Sequence, residues 1–404
     1  MRGIFRSLQN PNYRTWAIGS LISNVGSWMQ RTAQDWIVLV ELTNHSATAV
    51  GIVMGLQFGP QILLLPLTGY AADHLDRRKL LFCTQATMGL LALVLGVLVV
   101  MHLVQLWQVY VFAFLLGSAA AFDSPARQTF VAELVDEALL PNAVGLNSTS
   151  FNAARMIGPA IAGSLIAAVG TGWVFLINAA SFVAVLISLT VLRTLPLRER
   201  PARARGSVLE GFRYVLRRED LKAVLLMLFL IGTFGLNFPI FISTMSVSVF
   251  HANAGAFGLL TSMMAAGSVI GALMVAARPQ PSIRVLLIGA LFFGLGCAAA
   301  AVMPNYASFG IALTAIGIAA QTVTTSTNSY VQTSTEHSMR GRVIAILFAI
   351  VLGGTPIGAP IVGWIADALG PRWALGVGAA SGLSAALVAF IYLAVRENAD
   401  ARAR

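Results

Sequence analysis

A polar stripe runs along the first long apolar segment of the chain. Asn24, Ser27, Arg31 and Asp35 recur at spacings of three and four residues, which places them on one face of a helix. An ionisable side chain in hydrocarbon costs about 2.5–3.5 kcal/mol on insertion scales, so these groups should face a cavity or a partner. Arg31 and Asp35 lie one turn apart and can interact. Either Asp35 binds and releases a proton, or the two residues form a permanent ion pair; Glu41, at the end of the segment, is a third proton-binding candidate.

Three further segments carry polar side chains at helical spacing. The polar residues of these segments, together with Asn24 and Ser27, are expected to line a substrate cavity. Arg155 is the second embedded cation, and we expect Asp35 or Asp123 to compensate its charge. The stripes are Ser148, Asn152, Arg155 and Pro159; Thr233, Asn237 and Thr244, with Pro239; and Gln321, Thr325, Asn328 and Gln332.

Residues for metal or covalent chemistry are not grouped in this sequence. The five His are scattered, and both Cys83 and Cys297 lie inside apolar runs. No G-x-x-x-x-G-K-[ST] loop is present for a nucleotide. We therefore expect no metal site, no cofactor and no enzymatic activity.

The composition indicates the elements that must position these polar groups. Charged residues make up 10% of the 404 residues, against about 25% in globular proteins, and apolar residues make up 57%. So few charges cannot cover the surface of a soluble protein of this size. The sequence predicts an all-α membrane protein that crosses the bilayer several times.

Runs of about 20 apolar residues, the length that spans a bilayer, occur twelve times. The predicted spans are residues 15–41, 48–72, 79–102, 105–126, 142–169, 172–192, 221–250, 256–277, 283–303, 306–332, 342–368 and 373–395.

The Lys and Arg residues are distributed unevenly between the predicted loops. Of the 26, only Arg372 falls on one side of the membrane, Arg31 and Arg155 lie within spans, and all others share the opposite side. Cytoplasmic loops carry this excess. We expect both termini in the cytoplasm and a location in the cell inner membrane. The net charge of +10 is thus a topology signal and does not indicate nucleic-acid binding.

The two halves of the sequence repeat at an offset of 200 residues. Ten of the 25 positions from 157 to 181 are identical to those from 357 to 381, without a gap. A basic segment separates the halves. We therefore predict a six-helix bundle over 1–194, a cytoplasmic linker over 195–220 and a second six-helix bundle over 221–404, the bundles being related by a pseudo-twofold axis.

The segment between the second and third spans carries the motif that identifies a family. Gly69-Tyr-Ala-Ala-Asp73-His-Leu-Asp-Arg77-Arg78-Lys79 resembles the G-x-x-x-D-[RK]-x-G-[RK]-[RK] signature of the major facilitator superfamily. Pro125-Ala-Arg127-Gln and Arg340-Gly-Arg342-Val resemble its enterobactin-exporter-like and macrolide-efflux branch. The resemblance implies a cytoplasmic gate in which Asp73 meets Arg340 or Arg342. The gate residues are then Gly69, Asp73, Arg77, Arg78, Arg340 and Arg342.

Proline and glycine residues in the fifth and eleventh spans suggest bending points or close packing. Proline removes one helical hydrogen bond, and glycine allows two helices to approach closely. The residues assigned to this hinge or packing role are Gly158, Pro159 and Gly163 in the fifth span, Pro356, Gly358 and Pro360 in the eleventh, and Pro239 in the seventh.

The leading functional hypothesis is a secondary active transporter that exports hydrophobic or amphipathic small molecules. Export by proton antiport, as in multidrug efflux, is what the resemblance implies. Export of a siderophore, another native metabolite or a lipid is an alternative, and a receptor or scaffold without transport activity belongs to another class. The expected partners are membrane lipid, a small-molecule substrate and protons, and we expect a monomer.

Overall fold

A computed structural model describes residues 5–192, 208–277, 282–337 and 339–402 of the chain. Side chains at positions 66, 72, 73, 208, 209 and 398–402 lie outside this description, although their backbone is included. Most of the predicted linker, residues 195–207, lies outside the described residues, and its last part forms a short helix.

Helices make up nearly all of the described chain, and no strand is present in that part. The α-helices are α1 Pro11–Trp36, α2 Ala47–Leu63, α3 Leu65–His74, α4 Arg77–Val100, α5 Leu106–Leu134, α6 Leu140–Val169, α7 Thr171–Val191, α8 Val208–Arg217, α9 Glu219–Leu230, α10 Phe238–Thr244, α11 Ala254–Ala276, α12 Ile283–Val302, α13 Tyr306–Ser334, α14 Arg340–Leu369 and α15 Pro371–Arg402.

Wider π turns interrupt two of the helical paths. Ile37–Glu41 extends α1, while Ile231–Gly235 and Met245–Val249 flank α10. A π turn inserts an extra residue and changes which side chains share a face after it. Short 3₁₀ turns at Arg6–Gln9 and Glu137–Leu139 precede α1 and α6.

Ten of the predicted spans coincide with helical stretches long and apolar enough to cross a membrane. The first predicted span corresponds to α1, whose polar stripe lowers its mean hydropathy. The second is divided at Leu64 into α2 and α3. Pro66 lacks the N–H that would continue the hydrogen-bond ladder there. The count of twelve spans remains a prediction.

The chain divides into two compact units. One consists of Met1–His45, Leu56–Ala202 and Ala252–Ser262, and the other of Ser46–Gly55, Arg203–His251 and Met263–Arg404. In the first unit α7 packs on α1 and α4, and α4 also packs on α5. In the second, α15 packs on α9 and α12, and α12 also packs on α13. Corresponding helices of the two sequence halves therefore make corresponding pairs.

The ends of α6 and α14 show the repeat most directly. Both helices have 30 residues and stop at a glycine with positive φ, Gly170 at 89° and Gly370 at 104°. Glycine adopts this conformation without steric cost, which is why it so often ends a helix. The offset of 200 residues read from the sequence thus holds at the level of helix termini.

Helix α1 is anchored at its start by local chemistry and packing. The Asn10 side chain accepts hydrogen bonds from the backbone N–H groups of Asn12 and Tyr13, and Pro11 occupies the first turn. Tyr13 and Trp16 are buried in a core shared with α4, α5 and α7. The polar stripe farther along α1 is therefore carried on a helix whose beginning is firmly placed.

Candidate functional site

Arg31 and Asp35 lie half-buried on α1 without a direct partner. Among the described residues, neither side chain makes a hydrogen bond or an ion pair, although the two charges are close enough to attract each other. The two side chains therefore attract each other without a direct hydrogen bond. No group among the described residues donates a hydrogen bond to the Asp35 carboxylate.

The Arg31 guanidinium lies against an aromatic ring that a second arginine shares. Its central carbon is 4.9 Å from the centroid of Trp28, and that of Arg155 on α6 is 5.7 Å from the same ring. Cations within about 6 Å of a tryptophan face are attracted by its quadrupole. We call Trp28, Arg31 and Arg155 the arginine–tryptophan cluster.

The close approach of α6 to α1 creates this cluster. A Cβ atom on Gly158 would collide with the Cβ atom of Trp28, so the α6 position facing the tryptophan requires glycine. Phe151 of α6 contacts the Trp28 ring edge to face at 5.7 Å between centroids. Phe58 lies 5.8 Å from the Arg31 guanidinium. The two cations thus have aromatic neighbours.

Arg31 also borders a small cavity inside the first unit. The cavity has a volume of about 80 Å³, and Ser27 and Gln30 of α1 lie on its wall beside Asn178 of α7. The side-chain amide of Asn178 donates a hydrogen bond to the side-chain oxygen of Gln30. Two of the predicted polar residues of α1, Ser27 and Arg31, therefore do face an internal space.

Another arginine of this unit, Arg127, donates hydrogen bonds to three side chains. The Arg127 Nε atom donates to Asp123 at 3.0 Å, and its Nη1 atom donates to Ser20 at 2.9 Å and to Asn24 at 3.4 Å. Asp123 also accepts from Thr84 and Gln85, at 2.9 and 2.6 Å. We call these six residues the Asp123 network. The expectation that Asp123 compensates Arg155 is wrong, because the Asp123 carboxylate accepts hydrogen bonds from residues of α4 and α5 instead. Asn24, predicted to line the cavity, also belongs to the Asp123 network.

Two other candidates of the first unit have local partners. Glu41 is exposed and accepts a hydrogen bond from the Thr171 hydroxyl at the start of α7. Asn152 donates to the Ser148 carbonyl of its own helix at 2.8 Å. Glu41 therefore makes a contact at a helix end, and Asn152 makes a hydrogen bond within its own helix.

The predicted cytoplasmic gate residues of the first unit mostly fasten helix ends. Arg77 forms an ion pair with Glu133 at 2.5 Å, which ties the start of α4 to the end of α5. Arg78 donates to the Leu189 and Thr190 carbonyls at the end of α7, where a cation is favoured. Gly69 lies within α3. The Asp73 side chain lies outside the described residues, as does its predicted contact.

In the second unit, Arg340 and Arg342 begin α14. Arg342 is 3.3 Å from the Glu210 carboxylate of α8. Arg340 is half-buried, and its Nε atom has no hydrogen-bond partner among the described residues.

The polar candidates of the second unit fall into two groups. Asn237 and Thr244 are buried and donate to the Thr233 and Ile240 carbonyls one turn earlier. Gln321 and Thr325 are half-buried and hydrogen-bonded to each other, and Asn328 accepts from Gln332. The π turn before Asn237 alters the helical register that the sequence stripe assumes.

The hinge and packing candidates lie at close helix contacts. Pro159 and Gly163 of α6 contact Gly258 and Ala254 of α11, and Gly358 of α14 contacts the Thr233 backbone. Pro356 and Pro360 border Gly55 of α2, and Pro239 lies in the first turn of α10. A Cβ on Gly358 would overlap the Thr233 carbonyl, so this crossing depends on glycine.

Comparison with known families agrees with this fold. Residues 3–404 match the family described as transmembrane secretion effector. The chain belongs to this family of major facilitator transporters. Family and fold together identify the secretion effector as a multi-pass membrane transporter and not an enzyme.

The relatives of this chain match most of its length. The staphyloferrin A transporter of Staphylococcus aureus (strain NCTC 8325 / PS 47) is 26% identical over 87% of this chain and 88% of its own. The multidrug efflux pump Tap of Mycolicibacterium fortuitum is 26% identical, with the same coverage. The enterobactin exporter EntS of Salmonella typhi is 24% identical over 90% of this chain and 87% of its own.

Solved structures show the same fold at low sequence identity. A bacterial homologue of the human lysosomal transporter Spinster, in an inward-facing and occupied conformation, superimposes with a TM-score of 0.75. It is 14% identical, and the match covers 94% of this chain and 96% of that one.

Two features of the site were not singled out in the sequence. Trp28 looks like an ordinary apolar residue until α6 brings Arg155 to the ring that Arg31 already contacts. The Asp123–Arg127 pair, at a spacing of four residues, is a signal that could have been read as an intrahelical ion pair.

Proposed function

We propose that the protein is a secondary active exporter of hydrophobic or amphipathic small molecules, working by alternating access. The supporting observation is the half-buried group of Arg31, Asp35 and Arg155 among aromatic residues. Transporter folds keep such ionisable groups inside the membrane for substrate or ion pathways. Multidrug efflux is the activity named for one relative, and the aromatic surroundings suit such compounds.

Proton antiport is the coupling that this group supports. Asp35 is half-buried, has no direct hydrogen bond in the described structure and feels the charge of Arg31. A carboxylate in this position can bind a proton in one conformation of the transport cycle and release it in the other, because its distance from Arg31 changes as the helices move. Glu41 is a weaker candidate because Thr171 already donates to it.

Siderophore export is the second candidate. Two of the relatives are named for a siderophore, one as transporter of staphyloferrin A and the other as exporter of enterobactin. Arg31 and Arg155, which have no acceptor among the described residues, favour this candidate because they would bind an acidic metabolite. Screening a deletion strain for accumulated drugs and for lost metabolite secretion separates the two candidates.

The remaining parts of the proposal concern the gate, the hinge and the topology. Asp73 docks against Arg340 or Arg342 to close the cytoplasmic side, and the glycine–proline sites of α6 and α14 bend as the protein moves. The exporter works as a monomer of two six-helix bundles, residues 1–194 and 221–404, joined by the linker. Its twelve spans place both termini in the cytoplasm, and it lies in the inner membrane.

The coupling is tested in proteoliposomes loaded with a pH-sensitive dye. A drug panel that includes ethidium identifies a transported compound, and the wild type should then move protons in the direction opposite to it. Asp35→Asn should abolish the proton movement but retain binding of the compound. The control Glu397→Gln removes an exposed carboxylate paired with Arg284 and should change nothing.

Proton-driven transport at the wild-type rate in Asp35→Asn would remove Asp35 from the coupling step. Substrate movement without any proton movement in the wild type would exclude antiport.

A further inference from the structure

The strongest unexplained feature of the molecule is the pair of arginines in the arginine–tryptophan cluster. Within the described residues, neither the Arg31 nor the Arg155 guanidinium donates a hydrogen bond or forms an ion pair. A guanidinium has five N–H donors in a fixed, planar arrangement. Up to ten N–H donors of the two charged groups therefore lack an acceptor among the described residues.

The charges of the cluster do not balance. Arg31 and Arg155 are close enough to repel each other, and Asp35 is the carboxylate that acts on Arg31. Asp123 is occupied by Arg127, Thr84 and Gln85. One positive charge therefore remains, and a single added anion would neutralise the cluster.

Part of the arginine–tryptophan cluster is exposed at the protein surface. Trp28, Arg31 and Arg155 are all half-buried, so part of each side chain stays exposed. Phe151 is 47% exposed, which leaves an aromatic surface beside the cations. A planar oxyanion can accept two parallel hydrogen bonds from an arginine, while an apolar body can pack on these rings.

We propose that Arg31 and Arg155 form a binding site for the oxyanion, typically a carboxylate, of an exported amphipathic molecule with an aromatic or other apolar body. This inference rests on the proposed export function and names its substrate class. Trp28 holds the two guanidinium groups in place through its ring. Asp35 carries the opposite charge beside the site, so its carboxylate and the oxyanion of the ligand compete for the same cation, Arg31.

The test compares two probes that differ only in charge. The purified full-length protein, in nanodiscs of phosphatidylcholine at pH 7.5, is titrated with 1-naphthoate and with its neutral relative 1-naphthamide. The wild type should bind naphthoate about tenfold more tightly or better, because hydrogen bonds between charged groups are stronger than neutral ones. Arg31→Gln and Arg155→Gln should each lose this preference.

Matched variants separate a binding role from a structural one. Arg155→Lys keeps the charge without the planar donor geometry and should retain part of the preference. Arg284→Gln removes an exposed arginine of the second unit and should retain all of it. Each variant is checked for a single symmetric peak in size-exclusion chromatography. Equal affinity for both probes in the wild type, or an unchanged preference in the Arg31→Gln/Arg155→Gln protein, would overturn the proposal.

A second arm distinguishes the substrate from a lipid headgroup. The titration is repeated in nanodiscs that contain phosphatidylglycerol. Substrate binding predicts that naphthoate keeps its preference, whereas a site for anionic lipid predicts that it disappears and would overturn the substrate assignment. Because binding is measured at equilibrium without a proton gradient, its failure is distinct from absence of transport, which the proteoliposome assay reports.

Discussion

Arginine side chains lie against two tryptophans of α1, and the two sites differ in whether the guanidinium groups have hydrogen-bond acceptors. Arg127 lies 5.7 Å from the Trp16 ring, in a buried setting where Asp123, Ser20 and Asn24 accept its hydrogen bonds. Arg31 and Arg155 share the Trp28 ring but have no acceptor in the described structure. At Trp16 this pairing thus packs α5 against α1, whereas at Trp28 we propose that it binds a ligand.

The difference shows how an embedded charge can be assigned a role. A cation that donates to several side chains contributes to helix packing, since removing it leaves a buried carboxylate uncompensated. A cation without acceptors costs stability, and ionisable groups inside a membrane mark substrate or ion pathways. We propose that the hydrogen bonding of the guanidinium group, more than membrane depth or burial, distinguishes structural from functional arginines in this protein.

The largest effect is expected in the Asp123 network. Arg127→Gln should lower the free energy of unfolding by about 3 kcal/mol, because Asp123 keeps its charge without the cation. Unfolding in mixed detergent micelles measures this loss. The double variant Arg127→Gln/Asp123→Asn should recover part of it. A single variant as stable as the wild type would mean that the Asp123 network does not hold α1, α4 and α5 together.

A change in stability of opposite sign is expected in the arginine–tryptophan cluster. Arg155→Gln should leave the free energy of unfolding unchanged or raise it by about 1 kcal/mol, because an unpaired charge is removed from a half-exposed position in the membrane. The same unfolding assay, with Arg284→Gln as a surface control, measures the change. A loss comparable to that of Arg127→Gln would show that Arg155 has a structural partner.

The smallest effect distinguishes the two tryptophans. Trp28→Phe should weaken naphthoate binding about twofold and leave stability unchanged, because a phenyl ring attracts the two cations less strongly. Trp16→Phe should lower the free energy of unfolding by about 1 kcal/mol and leave binding unchanged, since Trp16 is buried against Phe130. The comparison would fail if Trp16→Phe weakened binding while Trp28→Phe did not.

Much of the fold was predictable because long apolar runs and a 200-residue repeat are strong signals. Ten predicted spans became helical stretches of the right length, and Gly170 and Gly370 end matching helices. The division of the second span at Leu64 was not predicted, because hydropathy averages over a single broken turn. The π turn at Ile231–Gly235 was equally invisible, since it shifts register by one residue without changing composition.

The candidate site was predictable only in part. Arg31, Asp35 and Arg155 stand out as charges in apolar segments, and the structure leaves all three half-buried. Which carboxylate meets which arginine depends on helix packing, so Asp123 was matched with the wrong cation. Trp28 carries no signal of its own, because its role arises when Gly158 lets α6 approach α1.

The most direct test of the account is the transport rate of Arg155→Gln per folded molecule in proteoliposomes. The rate is measured with an acidic amphipathic substrate found in the secretion screen, and the amount of folded protein is determined by size-exclusion chromatography. The account predicts normal folding and a rate at least about tenfold below that of the wild type. A folded Arg155→Gln protein that exports this substrate at the wild-type rate would contradict it.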